Sequence, residues 1–171
     1  MTGLPDKRKT AYMGLLLSFA LILSYVESLI PFFAGIPGMK LGLANLAVLL
    51  ALYLFGGREA LLLNFLRILL ASLLFGNMSI FFYSMAGGMF SFFIMLFMKK
   101  TKKFSMAGVS MGGGVFHNIG QLLMAFCIVG TEGIFYYTPA LLVMGVVTGG
   151  LNGIIAGQTY PRLAHNGLHG K

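Results

Sequence analysis

The feature that most constrains this chain is a row of apolar runs, each close to the length of a membrane crossing. Residues 10–30, 41–56, 59–75, 79–98, 104–129 and 138–160 are mainly apolar, and a bilayer-crossing helix needs about 20 such residues. Turn chemistry separates them: Pro31, Gly35, Pro37 and Gly38, then Gly56-Gly57, Gly76-Asn77 and Pro139. The runs are continuous rather than alternating, which excludes a transmembrane β-barrel. Only 9% of the residues are charged against 58% hydrophobic, where soluble domains carry about 25% charged. A soluble fold of this size has too little interior to hide that much apolar surface. The expectation is an all-α membrane protein, a single transmembrane domain over residues 1–171.

Charge placement sets the orientation. With the N-terminus inside, the inner segments hold Lys7, Arg8, Lys9, Arg58, Lys99, Lys100, Lys102, Lys103, Arg162 and Lys171, and the outer segments hold only Lys40. The positive-inside rule therefore predicts six spans with both termini cytoplasmic. The net charge of +8 belongs to these topology clusters, so no nucleic-acid partner is expected; Lys99 to Lys103 suits anionic lipid headgroups. Cys127 is the one cysteine, which rules out an internal disulfide or a cysteine metal cluster. The first run follows Lys7, Arg8 and Lys9 as a signal peptide would, but it is long, lacks a small-x-small cleavage site and is predicted to be retained.

Polar residues inside apolar runs are costly and mark either helix packing or a site. On the fifth run, Ser110, Gly113, Gly114, His117, Asn118, Gly120 and Gln121 share one helical face. Gly145, Thr148, Gly149, Asn152, Ala156 and Thr159 form a similar face on the sixth. The segment 84–90 echoes 110–116, and both read as small-residue packing surfaces rather than a repeat. Arg67 lies mid-span with Asn64 one turn away; an arginine there costs at least about 2.5–3.5 kcal/mol and normally faces the bundle interior. Glu27 is its candidate structural partner, although it falls near the outer end of the first run. Lys40 closes a loop rich in Pro, Gly and Phe that is suited to covering an outward cavity, while a snorkelling lysine is the plainer reading. Arg67 and Lys40 are the candidate anion contacts, with His117, Asn118 and Gln121 as hydrogen-bonding groups and Asn45 and Asn64 behind them. Tyr136 and Tyr137 read as interfacial anchors.

The acids Asp6, Glu27, Glu59 and Glu132 offer no pair placed to hold magnesium on a diphosphate. The glycines 112–114 lack the lysine of a phosphate-binding loop, and His117, His165 and His169 make no metal set. The chain is expected to bind rather than catalyse, with no cofactor and no metal.

Two stretches, Pro37 to Leu52 and Gly112 to Ala125, resemble the Gx transporter family, also called heptaprenyl diphosphate synthase component I. The resemblance covers almost the whole chain. That family is similar to the S components of energy-coupling factor (ECF) transporters. The likeness implies a six-helix bundle in a bacterial plasma membrane, with a site opening outward under the first outer loop. It also implies partnership with a coupling subunit and two ATPases. S components often dock through Ala-x-x-x-Ala on the first helix, where this chain has Gly14-x-x-x-Ser18. The expected ligand is a small polar or anionic, vitamin-like or isoprenoid-related molecule. Two other readings stay open. One is a membrane subunit of quinone- or flavin-linked electron transfer with a redox partner, His117 and Gln121 bonding quinone carbonyls. The other is an accessory component of heptaprenyl diphosphate or quinone biosynthesis.

Overall fold

In the computed structural model, residues 6–29 and 42–168 are described, and they form six α-helices and one 3₁₀ turn. The helices are α1 (Asp6–Leu29), α2 (Asn45–Leu54), α3 (Gly57–Phe75), α4 (Met78–Thr101), α5 (Met106–Val129) and α6 (Thr138–Leu168), with the 3₁₀ turn at Glu132–Tyr137. Four of them, α1, α4, α5 and α6, are long and apolar enough to cross a membrane. At 19 residues, α3 is about 28 Å long, close to the hydrocarbon thickness, but carries Arg58, Glu59 and Arg67.

The second run departs from expectation. Only 10 of its residues are helical, a length of about 15 Å, half of what a crossing needs. The reason is local. Gly42 takes φ +75°, a left-handed conformation that suits glycine, and its carbonyl accepts the Asn45 N–H at 3.0 Å. The chain therefore turns before the helix starts. The result is a half-length helix buried on all sides from Asn45 to Leu52, as expected for a helix that is apolar all round. Each of the other five helices touches it.

Charged side chains hold both ends of α2. Before its first turn, the Leu43 N–H donates to the Glu27 carboxylate of α1. At its last turn, Lys99 Nζ of α4 donates to the Leu52 carbonyl at 2.6 Å and lies 4.8 Å from the centre of the Tyr53 ring. An acid at a helix start and a base at its end both complement the helix dipole. Lys99, Tyr53, Tyr160 and the Lys9–Glu59 ion pair gather the starts of α1 and α3 and the ends of α2, α4 and α6 at one end of the bundle.

Glycine sets the closest approaches. Gly114 of α5 lies on the Gly145 backbone of α6, Gly149 on the Ser110 carbonyl, and Gly153 on Ala107. Between α4 and α5, Gly120 meets the backbone of Ala86 and Gly87, and Gly113 meets Met95 and Ser91. The echoed segments 84–90 and 110–116 are thus both packing surfaces, the first against residues 117–121 of α5 and the second against residues 91–98 of α4 and the glycines of α6. Such small-residue contacts drive association where lipid removes any hydrophobic advantage. Leu15, Ile22, Leu73, Phe97, Val143 and Leu151 point outward, the apolar surface that membrane helices give to lipid. The last helix runs on past the expected limit of 160, through Pro161 to Leu168, so His165 is helical.

A Cβ at Gly149 would sit 2.5 Å from the Ser110 carbonyl oxygen, whereas one at Gly157 meets nothing. Gly149→Ala is expected to destabilise by about 1–3 kcal/mol in thermal unfolding of the detergent-solubilised protein. Gly157→Ala should leave stability unchanged or raise it by up to about 1 kcal/mol.

Candidate functional site

Because α2 begins partway through the bundle, its first residues meet polar side chains from α3, α4 and α6. Arg67 is 6% exposed. Its guanidinium donates to Asn64 Oδ1 at 2.7 Å and, more weakly, to Asn45 Oδ1 at 3.4 Å. Asn64 passes the order on by donating to the Gly88 carbonyl of α4 at 3.0 Å, and Asn45 Nδ2 faces Ser91 Oγ at 3.5 Å. The guanidinium is therefore oriented by two amide oxygens, neither of which carries a charge. Its Nε is buried and has no hydrogen-bond partner.

Glu27 supplies the nearby negative charge. It is buried and its charge acts on Arg67, in keeping with the partner role the sequence suggested, and the same carboxylate accepts the Leu43 N–H.

A narrow pocket opens beside this cluster, lined by polar and small groups of α2, α5 and α6: Asn45, Ser110, His117, Asn118, Thr148 and Asn152. It has room for about one water molecule, far below the roughly 300–1,000 Å³ of a small-molecule site. Binding anything larger requires the helices to part. Asn152 donates to the Gly42 carbonyl at 2.8 Å, and Asn118 to the Leu141 carbonyl at 2.7 Å. These two amides hold the turn before α2 and the α5–α6 contact, a structural duty that the sequence reading left open.

The predicted residues thus fall into groups. Asn45, Asn64 and Arg67 form one hydrogen-bonded cluster. His117 and Asn118 line the pocket, which Asn45 shares. Arg67 and Gln121 do not line it, so the expected convergence of Arg67 with His117 in a single cavity is not observed: Arg67 reaches Asn45 from the α3 side, while His117 faces the pocket between α5 and α6. Gln121 lies against Gly87 of α4, 6% exposed, and neither atom of its amide has a hydrogen-bond partner. Lys40 and the loop before it lie outside the described residues.

Sequence reasoning missed Glu27 as a cap, Asn152 as the pin on Gly42, and the serines of α4. Ser84 and Ser91 flank Gly87-Gly88 at helical spacing, a readable pattern that the packing explanation absorbed. Asn64→Leu removes the acceptor of Arg67 and the donor to Gly88 together. It is expected to cost about 2–5 kcal/mol of stability in chemical unfolding, because each buried polar group left unpaired costs about 1–3 kcal/mol.

A family model described as heptaprenyl diphosphate synthase component I matches residues 16–159, a span that contains every helix except the first turns of α1 and the end of α6. No curated protein and no solved structure matches the chain.

Proposed function

This chain belongs to the heptaprenyl diphosphate synthase component I family, and we propose that it acts as a membrane-embedded binding subunit for uptake of a small anionic molecule. The observation that carries the proposal is the Arg67 guanidinium, buried among helices and oriented by neutral amide oxygens, with its Nε still open. A guanidinium stays charged and presents a planar fork matched to carboxylate or phosphate. Its burial is costly, and Glu27 offsets part of that cost from a position where its carboxylate also holds the start of α2. An incoming anion that pairs with Arg67 competes with Glu27 and so bears on the point where α2 begins. Binding and helix position are thereby linked.

The basic end of the bundle, with Lys9, Arg58 and Lys99 to Lys103, faces the cytoplasm in this reading. The start of α2 then faces outward and forms the floor of the site. The protein binds rather than transforms its ligand, and a coupling subunit with ATPases supplies the energy for uptake. The four acids of the sequence favour this over prenyl transfer. Glu27 and Glu59 are committed to Leu43 and Lys9.

Mass spectrometry of small molecules retained by the gently purified protein tests this. The wild type is expected to carry a defined anion that is reduced at least about tenfold in Arg67→Gln, in keeping with the loss of a charge-assisted bond worth about 1.5–3 kcal/mol. A retained quinone or prenyl lipid present equally in both proteins would refute it.

A further inference from the structure

Helix register brings together polar groups that the site described above does not use. Helices α4 and α5 are antiparallel, with Ser91 opposite Gly113 and Gly87 opposite His117 and Gly120. One turn further towards the start of α4, Ser84 therefore stands level with Gln121. Helices α3 and α4 are also antiparallel, with Gly88 against Asn64 and Ile68 and Gly76 against Ile80. Ser72 falls at that same level. These three side chains, from three adjacent helices, are 7%, 5% and 6% exposed for Ser72, Ser84 and Gln121. The two hydroxyls and both ends of the amide lack any hydrogen-bond partner. Arg67, with its open Nε, lies little more than one turn below Ser72 on α3.

Buried polar atoms are nearly always paired, and leaving one unpaired forfeits its full desolvation cost. Isolated exceptions occur in any protein. Here they lie in one layer, beside the cluster that already holds a buried cation. Tight packing accounts for the glycines of α4, but it does not account for an amide placed with both its donor and its acceptor open.

We infer that Ser72, Ser84 and Gln121 form the recognition edge of the ligand site and read a planar ring that presents an N–H beside a carbonyl, a lactam or imide edge. The inference rests on the binding-subunit reading and names its ligand class. A glutamine amide pairs with such an edge in two parallel bonds, its oxygen accepting from the ring N–H and its nitrogen donating to the ring carbonyl. The serine hydroxyls donate or accept at the flanking positions. Arg67 takes an anionic substituent on the far side of the ring. A carboxylated pyrimidinedione has both features, a carboxylate at one end and an imide at the other.

The test uses the full-length protein in detergent, with thermal stability read by size exclusion after heating. Without additive, Gln121→Met, which replaces the open amide by an apolar chain of similar length, should raise the melting temperature by about 2–4 °C. Uracil, orotate and lumichrome, which carry the imide edge, are then compared with 1,3-dimethylorotate, which has no ring N–H left to donate, and with nicotinate, a ring carboxylate without the edge. At least one imide compound should raise the wild-type melting temperature and leave Gln121→Met unmoved, with 1,3-dimethylorotate giving no Gln121-dependent shift. A lowered melting temperature of additive-free Gln121→Met would overturn the inference, since the amide would then already be paired. So would a wild type that no imide compound stabilises. If nicotinate and orotate stabilise wild type and Gln121→Met alike but not Arg67→Gln, anion binding stands and only the recognition edge fails. If no carboxylate acts through Arg67, the binding-subunit reading fails as well.

Discussion

The short helix α2 is held by a carboxylate at its start and an ammonium at its end, and most of the interior is arranged around that fact. A 10-residue helix leaves N–H and C=O groups at its two ends without intrahelical partners, in half-buried surroundings. Glu27 takes the Leu43 N–H and Lys99 takes the Leu52 carbonyl. Removing either charge would leave a half-buried backbone group without its partner, at part of the desolvation cost of a fully buried one. The clamp also gives the buried acid two duties, since Glu27 serves both the start of α2 and the field around Arg67. Half-length helices whose N-termini lie inside a bundle are a recurring way to build sites for anionic groups in membranes.

Packing on the other side of the molecule gives this arrangement its rigidity. The contacts of α5 with α4 and α6 include backbone against backbone, made possible by Gly87, Gly114, Gly120, Gly145, Gly149 and Gly153. Helices at such close range have little freedom to slide. By contrast, α1 offers no comparable backbone contact through its own Gly14, which meets nothing. The Arg67, Asn64 and Asn45 cluster therefore sits where α2 and α3 meet the tightly joined α4–α5–α6 unit. Any opening of the one-water pocket would proceed by movement of α2 and the turn before it, which bring Gly42 and Asn45 to its lining, away from that unit.

Much of this was legible in the chain itself. Apolar run lengths and turn residues located the helices, and the helical faces of residues 110–121 and 145–159 marked buried surfaces correctly: Ser110, Gly113, His117, Asn118, Gly120, Gln121, Gly149 and Asn152 are all buried. Arg67 stood out because a mid-run arginine is costly wherever it goes. The length of α2 was not legible, because Leu43 and its neighbours are as apolar as a helix interior. What stops the helix there is a left-handed Gly42 and a carboxylate from a helix distant in sequence. The division of labour among the amides was hidden for a similar reason. Spacing shows that His117, Asn118 and Gln121 share a face, but whether each meets a carbonyl, a cavity or nothing depends on the neighbouring helix. Asn118 found the Leu141 carbonyl and Gln121 found a glycine.

The central claim is that the start of α2 forms a polar floor inside the membrane that can be reached from the end opposite the basic clusters. Thiol accessibility tests it most directly, with Cys127 replaced by serine and a single cysteine placed at Asn45 or, one turn deeper, at Leu49. A small, anionic, membrane-impermeant thiol reagent applied to that side should modify the cysteine at position 45 and spare the one at position 49. Equal protection of both positions would mean that the polar groups lie in a permanently dry bundle and serve only to hold it together.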